Sequence, residues 1–166
     1  MEKLYRFSPI TDKEKLMEAI EYIHFACFKL CKKVFGKYLP AAGNLAVFCH
    51  FDDEYEILTR IQSELTDKSD AMFGKYFRLH EPIIMPAKED MPETTYTHLY
   101  IRKPDSTRPQ VGDVDFLLGK DEYAELKQSL LDGKEIKGAR IFERPEPDMV
   151  ELYDADVDAL GYVRAV

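Results

Sequence analysis

Apolar positions recur with two different periods along this chain, and the change of period predicts which segments are helices and which are strands. From about residue 11 to residue 35, Leu16, Ile20, Ile23, Cys27, Leu30 and Val34 return every three or four positions, and Phe25, Ala26, Phe28 and Cys31 widen the stripe. Thr11 and Glu14 have capping-box spacing ahead of this helix, and Gly36 and Pro40 end it. A helix this long and this apolar is expected to cover much of one sheet. A short strand is expected before it, over residues 4–7. An apolar run over residues 44–51, between Gly43 and the pair Asp52 and Asp53, predicts a buried strand. A second helix follows over about 53–65, with Leu58, Ile61 and Leu65 on one face and Asp53 and Glu56 as its cap. Residues 67–74 are polar and read as a turn. A third helix, about 121–132, carries Tyr123, Leu126 and Leu130 and closes at Gly133.

Elsewhere in the second half the period is two. Leu99 and Ile101 share a face with Thr97, and His98, Tyr100 and Arg102 share the other. Val114, Phe116 and Leu118 alternate with Asp113 and Asp115, Phe77 and Leu79 with Arg78 and His80, and Val150 and Leu152 with Glu151. Such half-exposed strands predict an antiparallel or mixed sheet with helices on one face. Seven of the nine prolines lie from Pro82 to Pro147, which favours short strands there. The expected fold is therefore α+β: a two-layer sandwich of a mostly antiparallel or mixed sheet of about 6–7 strands against three helices. Residues 1–166 read as a single domain, with no internal repeat or linker.

Composition agrees. The 166 residues are 33% charged and 45% hydrophobic, with 10 Phe and 10 Tyr, enough apolar surface to exclude intrinsic disorder. The most apolar stretch, 19–35, is interrupted by Glu21, His24, Lys29, Lys32 and Lys33, so no membrane span is expected. A charged start argues against a signal peptide, and three cysteines point to reduced thiols and a cytoplasmic setting. The net charge of −8, without an Arg/Lys stripe, argues against nucleic-acid binding through a basic face. Seven acids against one base lie between Glu143 and Asp158, a segment that would suit a basic partner surface. Asp154, Asp156 and Asp158 have calcium-loop spacing, but Ala159 and Ala165 replace the required Gly and Glu, so a solvated turn is expected.

Three constellations carry candidate chemistry. Asp113 and Asp115, two apart on a strand, project from one face and could share a divalent cation, with Glu151 as a third carboxylate. The segment 112–118 resembles the Asp-hydrophobic-Asp strand of the nucleotidyltransferase superfamily, which implies metal-dependent phosphoryl or nucleotidyl transfer. That family's upstream Gly-Ser pair is absent here, where residues 100–104 stand. Arg78, His80, His98, Tyr100 and Arg102, pooled with these acids on one sheet face, would suit a small anionic ligand. His24, Cys27, Cys31, Cys49 and His50 have zinc-like spacing, but Cys27 lies in the apolar stripe and a packed core is expected. The element order also resembles the 2H phosphoesterase fold. Neither His-x-Thr/Ser motif of that family is present, Asn44 and His98 standing at the two places, so the order implies a non-catalytic relative at most. No nucleophile elbow, phosphate loop or dinucleotide fingerprint occurs. Two readings follow. One is a non-catalytic module that binds a small molecule or a protein partner, homo-oligomers included, with no evident cofactor. The other is a divalent-metal-dependent phosphoryl or nucleotidyl transferase, or an inactive relative, using Asp113 and Asp115.

Overall fold

The computed structural model describes residues 5–142 and 148–166. In chain order the elements are α1 (Lys13–Phe35), β1 (Ala41–Phe48), α2 (Asp52–Leu65), β2 (Thr66–Met72), β3 (Tyr76–Met85), β4 (Thr94–Arg102), β5 (Gly112–Leu118), α3 (Lys120–Leu131), β6 (Ala139–Ile141), β7 (Val150–Leu152) and β8 (Leu160–Ala165). The fold is α+β. Among the described residues one mixed eight-stranded sheet has the order β2-β3-β4-β1-β5-β8-β7-β6, with three helices packed on one of its faces.

The strand count exceeds the expectation because Thr66–Met72, polar enough to read as a turn, pairs antiparallel with β3. Cross-strand pairing, which a local pattern does not display, overrides composition there. Residues 5–7 are bends rather than a strand, and Leu4 lies outside the described residues. The buried strand runs 41–48 rather than 44–51, and Phe51 is already the N-cap of α2, with no side-chain cap bond. At α1 the cap is Asp12, not Thr11: its carboxylate accepts the Lys15 amide at 2.8 Å. Gly36 ends α1 as expected, in the left-handed region at φ 74°, its N–H on the Lys32 carbonyl.

One connectivity occurs twice. β1-α2-β2-β3-β4 and β5-α3-β6-β7-β8 each place the last strand parallel beside the first, and the antiparallel β1·β5 pair joins the two halves. The sequence, read as a chain without internal repeat, carries no trace of it. The duplication is topological: strands of 7, 10 and 9 residues in the first half correspond to strands of 3, 3 and 6 in the second, so no sequence period survives.

The main core lies between helices and sheet, where Leu16, Ile20 and Ile23 of α1 meet Leu45, Val47, Val114, Phe116 and Val163. Gly112 sets how closely the seam packs. A Cβ there would lie 2.1 Å from the Ala46 carbonyl oxygen and 2.5 Å from Ile23 Cδ1, so a side chain would push β5 off both β1 and α1. His24, Cys27, Cys31 and Cys49 are buried, with free thiols, and His24 Nδ1 bonds the Tyr96 hydroxyl at 2.7 Å. No helix among the described residues is long and apolar enough to cross a membrane.

Candidate functional site

The strand register decides what stands on the face away from the helices. On the central strands, Ala46 of β1 pairs with Tyr100 of β4 on one side and with Asp113 of β5 on the other. Asp115 pairs with Tyr162 of β8, and Tyr162 with Glu151 of β7. Ala46 has no bulk to fill the space between Tyr100 and Asp113. A cleft of about 170 Å³ opens on this face, floored by Asp113 and Asp115 and walled by Tyr76, Tyr100, Phe142 and Tyr162. Lys75, Arg102 and Met149 complete its lining. Two hairpins bring the outer walls inward: the β2–β3 turn supplies Lys75 and Tyr76, and the β6–β7 connection supplies Phe142 and Met149.

The pattern of alternation places Asp113 and Asp115 outward, on a solvated face. The structure corrects the solvation: the side chains do leave the helix layer, but the residues are only 6% and 1% exposed, because the hairpins and aromatic rings cover that side. Asn44 Nδ2 donates to Asp115 Oδ2 at 2.7 Å, and Arg164 Nε lies 3.9 Å from the same oxygen. Among the described residues the Oδ1 atoms of both aspartates, Asn44 Oδ1 and Arg164 Nε have no hydrogen-bond partner. Buried polar atoms are nearly always paired, so the two carboxyl oxygens at the cleft floor, with Asn44 and Arg164 close by, leave hydrogen-bonding capacity that the described residues do not use.

The electrostatics follow from burial. Desolvation, and then the charge of Asp115, push Asp113 well above the usual carboxylate range. Desolvation also raises Asp115, to about 6, against the Asn44 hydrogen bond and the Arg164 charge. Burial thus opposes ionisation of both members of the pair. Glu151 is the opposite case. Its Oε2 accepts from Arg108 at 2.8 Å and from the Tyr162 hydroxyl at 2.7 Å, and its Oε1 accepts from Arg140 at 2.7 Å. Although burial opposes them, these bonds hold the Glu151 carboxyl below its ordinary range.

Of the residues pooled from the sequence, Tyr100, Arg102, Asp113 and Asp115 line the cleft. Glu151 is clasped beside it by Arg108 and Arg140, so the three carboxylates do not assemble into one metal centre. Among the described residues no group of three His, Cys, Asp or Glu side chains could hold a metal ion. His98 is buried, pairs in register with Arg78, and bonds Thr97 Oγ1 through Nδ1 at 2.8 Å. Arg78 is exposed and outside the cleft lining, and His80 lines a separate groove with Lys13, Met17 and Leu79. The alternation pattern does not single out Asn44, Lys75, Tyr76 or Phe142 as site residues. Asn44, a lone amide inside an apolar strand run, was a usable signal; Lys75 in a turn and Phe142 in a connection carried none.

The acidic C-terminal segment is also not a bare surface. Asp148 accepts from Lys127 and Tyr123, Asp154 from Lys33, and Asp158 from Arg6 and Tyr22, so these three charges are matched from within the chain. Glu143 and Glu146 lie outside the described residues.

No family model matches the chain, and no curated protein matches it in sequence. Among solved structures, one described as the structural-genomics protein EC4020 is similar over 100% of this chain and 92% of its own, at 15% identity and a TM-score of 0.54. The likeness is one of fold. Two structures of Streptomyces coelicolor methylmalonyl-CoA epimerase variants, both in complex with 2-nitronate-propionyl-CoA, are 13% identical over 77% of this chain and 99% of theirs. Their TM-scores, 0.35 and 0.34, bear on neither site nor ligand.

Proposed function

We propose that the protein is a small-ligand-binding domain whose site is the cleft over Asp113 and Asp115. The observation that supports this most is the pair of buried carboxylates on the two-sided strand β5, each with one oxygen unpaired among the described residues and both at the floor of a cleft. Two carboxyls in a sheet centre are costly to bury, and a fold that keeps them there beside open space keeps a recognition element. At about 170 Å³ the cleft compares with an engineered protein cavity of about 150 Å³ that takes up benzene, so the ligand is compact. The metal-dependent transferase reading needs a third ligand, and Glu151 is already held by two guanidinium groups and a phenol.

A thermal-shift screen of small amines, amino acids, carboxylic acids and nucleotides, with and without Mg²⁺ or Mn²⁺, tests the reading. Compounds that raise the melting temperature of the wild type and leave an Asp113→Asn/Asp115→Asn variant unmoved are the expected result. Hits that shift both proteins alike would contradict it, and hits that depend on Mg²⁺ or Mn²⁺ would favour the transferase instead.

A further inference from the structure

The cleft is graded in charge from bottom to mouth. At the floor are two carboxyls, while Lys75 and Arg102, the cations of the lining, are half-buried and so lie nearer solvent. Between them the walls are aromatic: Tyr76 and Tyr100 have ring centroids 5.3 Å apart, and Phe142 and Tyr162 are 4.9 Å apart. Carboxyls at the floor favour a cationic group, and aromatic walls tolerate one better than they tolerate an anion. The Lys75 ammonium lies over the Tyr100 ring at 5.3 Å, and the Arg102 guanidinium over the buried Phe48 ring at 5.0 Å, so each cation is held against an aromatic face. Arg102 reaches Asp105 at 3.2 Å, a half-exposed pair that an incoming anion can share.

We infer that the cleft takes a short zwitterion, a small amino acid or similar molecule, with its ammonium on Asp113 and Asp115 and its acid group at Lys75 and Arg102. This rests on the reading of the cleft as a small-ligand site and adds the ligand's class and orientation. The placement agrees with the lining: carboxyls at the floor face the ammonium, and Lys75 and Arg102 face the acid. A diacid would place a carboxylate against the floor, and a diamine would place an ammonium beside Lys75 and Arg102, each a like-charge contact.

Isothermal titration of the full chain with matched probes separates the possibilities: glycine, β-alanine, 4-aminobutyrate and 5-aminovalerate, each against the amine and the carboxylic acid of the same carbon chain. The expected result is that at least one amino acid binds about ten-fold or more tightly than both its simple amine and its simple acid, the worth of one additional charge-assisted contact. In Lys75→Gln and in Arg102→Gln that advantage over the amine should fall toward one. In Asp113→Asn/Asp115→Asn, with folding checked by circular dichroism, binding should be lost. An acid or amine that binds as tightly as its amino acid, or an advantage untouched by both mouth variants, overturns the inference while leaving the cleft a small-ligand site. If no compound in the wider thermal-shift screen binds the cleft, the underlying reading fails as well.

Discussion

Asp115 shows what burial does to a carboxyl, and the direction can be read in stability. Its folded-state value of about 6 exceeds the ordinary 3.8, so the folded chain holds a proton that the unfolded chain releases earlier. The stabilisation this gives is whole below about pH 3.8 and is lost as pH rises through 6. Urea unfolding between pH 4 and 7 should therefore show a decline in the wild type that Asp115→Asn makes shallower, the raised Asp113 supplying the rest; parallel curves would refute the assignment. Glu151 has the reverse sign, since its value is lowered below the ordinary 4.5 and its stabilisation disappears as pH falls. Glu151→Gln should cost about 2–3 kcal/mol at pH 7, because Arg108, Arg140 and Tyr162 lose a charged acceptor. Urea denaturation at pH 7 checks this, and a change under about 0.5 kcal/mol would show the clasp to be ornamental to stability.

Among the elements, α1 and the β2–β3 hairpin expose where local patterns succeed and fail. The apolar stripe and the stop at Gly36 place α1 to within two residues, because helix burial has a period that neighbours do not alter. The N-cap lies one residue later than the capping-box spacing predicts, since Thr11 and Asp12 both have side chains able to cap and only backbone geometry selects between them. Asp12→Ala should cost about 1 kcal/mol and Thr11→Ala close to nothing, as measured by urea denaturation; the reverse order would restore the capping box. The hairpin was invisible because β2 is polar and its pairing with β3 is non-local. Its turn closes with the Lys75 amide on the Met72 carbonyl at 3.2 Å, and both Phe73 and Gly74 have positive φ, 55° and 72°. That conformation suits Asn-Gly and strains Phe, yet the turn delivers Lys75 and Tyr76 to the cleft, with the Arg164 guanidinium over the Phe73 ring at 5.4 Å. Phe73→Asn should accordingly raise stability by about 1 kcal/mol, and thermal denaturation showing a loss instead would mean that the ring's contacts outweigh the strain.

At the scale of the whole molecule, the α+β class and the alternation of β4 and β5 were legible, and that alternation did separate the helix-facing residues from Asp113 and Asp115. The sheet order and the duplicated connectivity were not, because they rest on pairings between segments as distant as β1 and β5. Burial of the second face depends on those same pairings, which bring two hairpins over the central strands. A solvated face thereby becomes a cleft, and two aspartates that read as surface groups become its floor. The seam also depends on one residue without a side chain: Gly112→Ala should destabilise by about 2 kcal/mol or more, since a Cβ collides with the Ala46 carbonyl. The most direct test of the account is to locate a ligand. Amide chemical-shift changes in ¹⁵N-labelled protein should be followed while titrating the compound that gives the largest thermal shift in the screen. The account predicts that the largest changes cluster at Lys75, Tyr76, Tyr100, Asp113, Asp115 and Tyr162; changes concentrated instead around Val34, Lys137 and Tyr153, in the groove beside the end of α1, would contradict it.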